Sequence, residues 1–243
     1  RLPPIDYVAA RSLSLRSGQT LDRDEFTSTL AASGYYRVPQ VAEHGEFAVR
    51  GSLIDVFPMG ADRPLRIDFF DDDIESLRYF SPETQLSGDV VDRIDILPAR
   101  EVPLDAEAIR VFRDRYRERF AGQPGKSRVY REVSEGIAHG GIEYYLPLFF
   151  DTTATLLDYL PDDCILLAPQ GLDGILEQAW KEIEERFELC SLDRERPILT
   201  AAETFNAPAD IMRALADLPQ IRYSSQSLAE AETTVNYPTR LPP

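Results

Sequence analysis

Cysteine is scarce in this sequence, and histidine equally so, with two residues of each. Cys164 and Cys190 are too few for the disulfide framework of a small secreted protein or for a cysteine-ligated zinc site. His44 and His139 lie far apart in the sequence, and neither has an evident cysteine or serine partner for nucleophilic catalysis. We therefore expect a reducing, cytoplasmic location and neither a metal nor a cofactor.

Long apolar runs and a secretion signal are also missing. No stretch approaches the ~20 apolar residues of a membrane helix, and the first residues, RLPPIDYVAARSLSL, lack the continuous apolar core of a signal peptide. The chain begins with Arg1 and ends in the proline-rich NYPTRLPP, which is typical of a linker. We expect a soluble piece of a longer protein.

Basic residues are outnumbered, because 26 Lys and Arg face 42 Asp and Glu, for a formal net charge of −16. The excess of negative charge opposes nucleic-acid binding. It would attract a protein partner with a basic face toward this chain. Two charged clusters are interpreted as solvated surface: arginines spread around a helix, and carboxylates on a turn that do not converge on a cation. These are Arg113, Arg115, Arg117 and Arg119, and Asp68, Asp71, Asp72, Asp73 and Glu75.

Catalytic signatures are absent as well. There is no G-x-S-x-G elbow and no G-x-G-x-x-G fingerprint. The segment GQPGKS at 122–127 resembles a phosphate-binding loop, but Phe120 stands where the first glycine is required, and a charged helix precedes it instead of a buried strand. We interpret this segment as a loop between helices.

The residues that are present indicate two successive architectures. Capping residues and Gly34 predict a helix over 23–33, and strands are expected at about 35–42, 46–50, 52–57, 65–70 and 74–80. Their short spacing predicts an α+β, antiparallel-sheet domain over 12–98. From residue 99 the pattern changes to an amphipathic helix with one apolar stripe, formed by Ile109, Phe112, Tyr116 and Phe120. A strand, a long helix, a short helix near 207–217 and a possible strand QIRYS follow. This alternation of strands and helices is typical of an α/β layer.

Phe70 is the anomaly in the first part. If Leu65, Ile67 and Phe69 face a core, then alternation places Arg66, Asp68 and Phe70 on the other face of the strand. In the preceding strands Phe47, Val49, Leu53 and Phe57 are expected to face the same core, which would place Arg50 beside Arg66 and Phe70. Exposed arginines beside an aromatic are typical of a protein-binding hot spot. From the pattern alone, a helix covering this face remains an equal alternative.

Several segments carry a family resemblance. EHGEFAVRGSLIDVFPMG, PLRIDFFDDDIESLRYFSPETQ, GGIEYYLPLFF and LLDYLPDDCILL, in this order, resemble the amino-terminal, UvrB-like module of the bacterial transcription-repair coupling factors (the Mfd family) over roughly residues 10–200. UvrB itself has similar RVRGDVVDIFP and GIENYSR segments.

The resemblance implies a role in nucleotide excision repair, with the domain at 12–98 docking UvrA. The arginines and the phenylalanine that contact UvrA in the family fall on Arg50, Arg66 and Phe70. Residues 1–11 would connect to a preceding subdomain, and 221–243 would be a linker. RNA polymerase and DNA would be bound by domains absent from this chain.

Residues 99–220 would be a partial α/β, degenerate P-loop ATPase-like domain. UvrB has DESH directly after the strand that LLDYLPDDCILL resembles, whereas this chain has Pro169, Gln170, Gly171 and Leu172 there and so lacks the two acids needed for ATP hydrolysis. We expect a non-catalytic module that recruits UvrA. A residual nucleotide hydrolase and a nucleic-acid binder are the alternatives.

Overall fold

The structure is a computed structural model that describes residues 1–120, 124–161, 163–193 and 195–224. Its first part runs α1 (Ile5–Arg11), β1 (Leu13–Arg16), α2 (Arg23–Ala32), β2 (Tyr36–Arg37), β3 (Glu46–Arg50), β4 (Leu53–Val56), β5 (Leu65–Phe70), β6 (Asp73–Phe80), β7 (Ser87–Val91) and β8 (Arg93–Ile96). Strands β2 to β7 form a six-stranded sheet in sequence order, antiparallel except for the β2–β3 pair, and β1 pairs with β8 in a second sheet.

Helix α2 covers the inner face of the six-stranded sheet, and its bounds confirm the predicted helix. The Asp22 side chain accepts a hydrogen bond from the Glu25 amide and so caps the first turn. Phe26 and Leu30, one turn apart, are 1% and 0% exposed. Gly34 follows the helix at φ 98°, a conformation in which a side chain would be strained.

The core between helix and sheet comes from strict alternation along the central strands. In β5, Leu65 and Ile67 are fully buried and Phe69 is 3% exposed, as predicted. The same core contains residues of β1, α2, β3, β4, β6 and β8: Leu15, Phe26, Leu30, Phe47, Ile54, Val56, Ile74, Leu77, Ile94 and Ile96.

The predicted facing of β4 is wrong. Arg50 pairs with Leu53 across the two-residue turn at Gly51 and Ser52, and paired residues share a face, so Leu53 lies on the outer side with Arg50. Ile54 and Val56 occupy the core positions instead. The prediction assumed that odd-numbered residues face the core on both sides of the turn. Because a two-residue turn pairs residue 50 with residue 53, odd-numbered residues face the core in β3 and even-numbered residues face it in β4.

Phe57 is buried on the outer side, and the prediction that it faces the main core is also wrong. It packs in a small separate cluster with Val41, Ala48 and Phe80. Ala48 pairs with Asp55, which pairs in turn with Arg66, so this cluster belongs to the face that carries the arginines.

Other strand predictions need adjustment. The strand expected at 35–42 is only Tyr36–Arg37, since Pro39 cannot donate to a ladder. Strands β1, β7 and β8 were not predicted. The β7 sequence SGDVV is exposed or half-buried throughout and contains Gly and Asp, which are depleted in strands, so neither its periodicity nor its composition predicts β-structure.

The second part is mostly helical. It runs α3 (Ala106–Arg119), α4 (Arg128–Ser134), α5 (Leu146–Phe149), β9 (Leu166–Pro169), α6 (Leu172–Cys190), α7 (Ala201–Thr204), α8 (Pro208–Ala216) and β10 (Gln220–Tyr223). Helices α3, α4 and α5 pack around Phe112, Tyr116, Val133, Leu146 and Phe149. The β10 strand pairs parallel to β9, so residues 221–223, assigned to a linker from the sequence, belong to a strand.

Antiparallel sheets therefore dominate a mixed α and β chain, which agrees with the α+β prediction. The likeness of the second part to a P-loop ATPase, and the boundary near residue 98, stay predictions. The first residues contact the second part, since Leu2 forms a bridge with Ala154 and the Tyr159 hydroxyl donates to the Pro3 carbonyl over 2.9 Å. No helix in the described part of the chain combines the length and the apolar character needed to span a bilayer.

Candidate functional site: the outer face of the sheet

Phe70 is the last residue of β5 and its ring is open to solvent. The residue is 70% exposed, whereas Phe69 beside it is 3% exposed. The strand ends because Asp71 has φ 53°, and the chain then returns along β6 with Phe70 paired to Asp73. Within the described residues no helix covers the ring, so the alternative in which Phe70 is core is wrong.

Arg66 lies on the same face, but it is largely buried. Its side chain is 12% exposed and forms a two-point ion pair with Asp55, with Nε to Oδ1 at 2.7 Å and Nη2 to Oδ2 at 2.9 Å. Nη1 donates to the Gln85 carbonyl at 3.1 Å and to Ser87 Oγ at 3.0 Å. The guanidinium lies 4.7 Å from the centre of the Phe80 ring. Hydrogen bonding to Asp55 raises the pKa of Arg66, against a smaller opposing effect of burial, so the group stays charged.

Arg50 approaches the same carboxylate from β3. Its Nη2 donates to Asp55 Oδ2 and, at 3.4 Å, to Gln85 Oε1, while its side chain remains 39% exposed. Two guanidinium groups thus share one carboxylate whose side chain is 0% exposed.

Asp55 was missed by the sequence reasoning. The available signal was the pairing of Arg50 with Leu53, which puts Asp55 on the arginine face two residues further along β4.

The structure brings the two arginines together but leaves Phe70 apart. Phe70 is four residues beyond Arg66 along β5, which corresponds to about 13 Å of strand. Between them lie Leu53, which is half-buried, and its pair Asp68, whose Oδ1 accepts a hydrogen bond from Ser52 Oγ at 3.1 Å.

One end of the outer face is covered by loops of the chain. The cluster containing Val41 and Phe57 packs over Ala48, and Gln85 Nε2 donates to the Val41 carbonyl at 3.2 Å and to the Pro82 carbonyl at 2.8 Å. The other end carries Arg50, Leu53, Asp68 and Phe70, and we call these four residues the open end.

One carboxylate of the acidic turn and both histidines make contacts within the chain. Thr20 Oγ1 donates to Asp73 at 2.6 Å, and within the described residues no group of three or more His, Cys, Asp or Glu is arranged to hold a metal. A ring nitrogen of His44 lies 2.8 Å from the Ala61 carbonyl oxygen, and Nδ1 of His139 lies 2.5 Å from a Glu132 oxygen.

The segment GQPGKS includes residues 122 and 123, which lie outside the described part. Pro124–Lys126 form a single 3-10 turn, and Ser127 caps α4 by accepting from the Tyr130 amide. The arginines of α3 bond in different directions: Arg113 to Tyr130, Arg115 to Asp151, Arg117 to Asp114 and Arg119 to Glu203.

The tetrapeptide from Pro169 to Leu172 lies at a strand-to-helix junction. Pro169 ends β9, Gly171 precedes α6 at φ 80°, and Leu172 begins the helix. The four side chains include no carboxylate, and Asp173 follows in the first helical turn.

Comparison with known proteins gives this sheet a class. Residues 13–102, which contain the six-stranded sheet and its arginines, match the family described as the UvrB interaction domain. This part of the chain is therefore similar to a UvrB interaction domain.

Over nearly its whole length the chain is homologous to a section of the transcription-repair-coupling factors, which confirms the resemblance seen in the sequence. The protein of that name from Haemophilus influenzae is 36% identical over 98% of the chain, and that from Escherichia coli is 35% identical over 97%. That from Myxococcus xanthus is 32% identical over 94%. The chain spans about a fifth of the length of these relatives, 21% of the first two.

Proposed function

We propose that this chain is a non-catalytic protein-binding module that recruits UvrA in the nucleotide excision repair of lesions that stall RNA polymerase. The observation that carries the proposal is Phe70, an aromatic side chain 70% exposed at the end of a strand whose alternate residues are fully buried. Burying such a ring in a partner is worth ~2 kcal/mol, and aromatic and arginine anchors dominate protein interfaces.

Arg50 supports the same proposal. Its side chain is 39% exposed and lies on the face that carries Phe70, so it can offer hydrogen bonds to a partner that covers the ring. The net charge of −16 would accelerate encounter with a basic surface and repel nucleic acid, which supports a protein partner for this module. Contacts with RNA polymerase and DNA would then belong to the sections of the full-length relatives that this chain does not match.

The non-catalytic character is supported by the junction from Pro169 to Leu172, which has no carboxylate to hold Mg²⁺ or to position water. A binder of nucleotide would gain thermal stability in its presence. We expect MgATP to leave the melting temperature of the chain unchanged, and a clear upward shift would favour a residual nucleotide-binding domain instead.

The decisive experiment is a titration of purified UvrA with the labelled chain and its variants. Phe70→Ala is expected to weaken binding about 30-fold, which corresponds to the loss of ~2 kcal/mol. The matched control is Leu86→Ala, because Leu86 is 71% exposed in the same sheet unit but lies outside the open end.

Three results of this titration would count against the proposal. They are no binding by the intact chain, undiminished binding by Phe70→Ala, and equal losses for Phe70→Ala and Leu86→Ala. Circular dichroism and the melting temperature show whether each variant remains folded.

A further inference from the structure

Asp55 is a carboxylate with no exposure to water, and burial of a charge is costly unless it is fully paired. Its two oxygens accept from three arginine nitrogens: Oδ1 from Arg66 Nε, and Oδ2 from the Nη2 atoms of Arg66 and Arg50. These three side chains carry one negative and two positive charges.

The two arginines differ in how many donors they have left. Arg66 uses Nε, Nη1 and Nη2, with Nη1 shared between the Gln85 carbonyl and Ser87 Oγ, and it is 12% exposed. Arg50 donates only from Nη2 among the described residues and is 39% exposed. A guanidinium has five N–H donors, so Arg66 is nearly saturated, whereas Arg50 retains its Nε and Nη1 donors.

We infer that Asp55 is a positioning residue that holds Arg50 in place for a partner, and that Arg66 acts through Asp55 rather than by contacting the partner. Arg66 fixes both oxygens of the carboxylate, and the carboxylate fixes Nη2 of Arg50. The remaining donors of Arg50 are then presented on the face of the sheet that carries Leu53 and Phe70. The inference rests on the proposed function, since the partner is UvrA, and it requires that the UvrA surface carry oxygen acceptors opposite Arg50.

An arginine held in advance loses less conformational freedom on binding than one that is free in solution. Asp55→Asn keeps the shape of the side chain but removes the charge that holds both guanidinium groups. We expect Asp55→Asn to weaken UvrA binding about tenfold while Phe70 remains exposed.

A double-mutant cycle separates positioning from a general effect on the fold. If Asp55 acts through Arg50, then Asp55→Asn costs no further affinity in the Arg50→Ala background. If the two losses multiply instead, Asp55 acts independently of Arg50 and the inference is overturned. Asp89→Asn is the matched control, because Asp89 is an ion-paired carboxylate of the same sheet that lies outside the open end, 2.9 Å from Arg63 Nη1. A loss equal to that of Asp55→Asn would make net charge the cause and would also overturn the inference.

Removal of a buried charge can unfold a protein, so a second variant carries the same test. Arg66→Lys keeps the positive charge but cannot bind both carboxylate oxygens. Arg66→Lys is expected to reduce the affinity for UvrA severalfold when Arg50 is present. It should have no effect on that affinity in the Arg50→Ala variant. An equal loss in both backgrounds would mean that residue 66 contacts UvrA directly.

The ion-pair arrangement can also be observed without UvrA. In nuclear magnetic resonance spectra of the intact chain, the Arg66 Nε–H proton is expected to exchange slowly with solvent. The chemical shifts of the Arg50 guanidinium should change when Asp55→Asn or Arg66→Lys disturbs its hydrogen bond to Asp55. If the chain fails to bind UvrA but these signals respond as expected, the proposed function fails and the arrangement around Asp55 is supported. Unchanged Arg50 signals in both variants would refute the arrangement itself.

Discussion

The six-stranded sheet and the β9–β10 pair treat their apolar side chains in opposite ways. In β5 the inward residues are at most 3% exposed, whereas Leu167 of β9 is 64% exposed and its pair Ile221 of β10 is 57% exposed. Phe70, at 70% exposed, is therefore an exception within β5 that needs a cause. In the second region exposed apolar side chains are common, and no single one of them indicates a site.

Strand pairing accounts for the burial in the first region but not for the exposure in the second. An antiparallel sheet is stable with one face against a core and the other in water, and α2 supplies that core for β3 to β6. Parallel strands are normally covered on both faces. In the β9–β10 pair, Ala168 is buried while the outward residues of both strands remain open to solvent.

The largest effect that would test this comparison is a cavity in the closed core. Ile67→Ala should lower the free energy of unfolding by roughly 2–5 kcal/mol, because the Ile67 side chain is fully buried in the central strand. Leu167→Ala, at a similar position of β9 but 64% exposed, should change it by less than about 0.5 kcal/mol. Urea denaturation followed by circular dichroism measures both.

Equal costs for these two substitutions would contradict the comparison, since they would mean that Leu167 is buried in solution. The denaturant dependence should have the same slope in both variants, because neither changes how much surface unfolding exposes.

A smaller effect is expected where α2 begins. Asp22→Ala removes the side-chain oxygen that accepts from the Glu25 amide, and loss of such a cap costs about 1 kcal/mol. Asp24→Ala is the control, since Asp24 lies in the first turn but only its backbone carbonyl accepts a hydrogen bond, from Thr27. Loss of the Asp24 charge removes only its interaction with the helix dipole, which should lower stability by a few tenths of a kcal/mol. Thermal melts that rank the variants in the reverse order would refute the role of Asp22.

The smallest effect concerns acid stability of the second region. Hydrogen bonds from Arg119 are the largest cause that lowers the pKa of Glu203 to about 2, from an ordinary value of 4.5, and Thr200 adds to the effect. A depressed pKa stabilises the folded state above the unfolded pKa, and this stabilisation is lost as the pH falls from about 4.5 to about 2.

Glu203→Gln should therefore lower stability at neutral pH by less than about 1 kcal/mol, because the pair is partly open to solvent. The difference from the unchanged chain should disappear as the pH approaches 2. Urea midpoints across this range measure it, with the exposed Glu188→Gln as control. A difference that grows on acidification would contradict the assigned sign.

Much of the fold could be predicted because its signals are local. The helix after Asp22 has its cap and its buried one-turn spacing within a few residues, and β5 carries an uninterrupted alternation that correctly placed Phe70 outward. By contrast, β7 has no alternating pattern, and its place in the sheet depends on pairing with β6. The prediction placed Leu53 on the wrong face because that face depends on the register across a two-residue turn. Alternation along a single strand gives no information about this register.

The candidate site divides in the same way. Alternation placed Arg66 and Phe70 on one face, and the structure has them there. Alternation did not reveal that Arg66 forms an ion pair, since its partner Asp55 lies on the neighbouring strand β4. A residue's face is a property of its own strand, whereas its partners are a property of the register between strands.

Sequence alone determined that this protein has an antiparallel sheet with an aromatic residue on its outer side, because a strand's period of two and a helix's cap are encoded within a few neighbouring residues. Only the tertiary structure decided that one buried carboxylate binds both arginines and that loops cover one end of that face while leaving Phe70 open. Those features depend on segments brought together by folding, at distances along the chain that no local pattern spans.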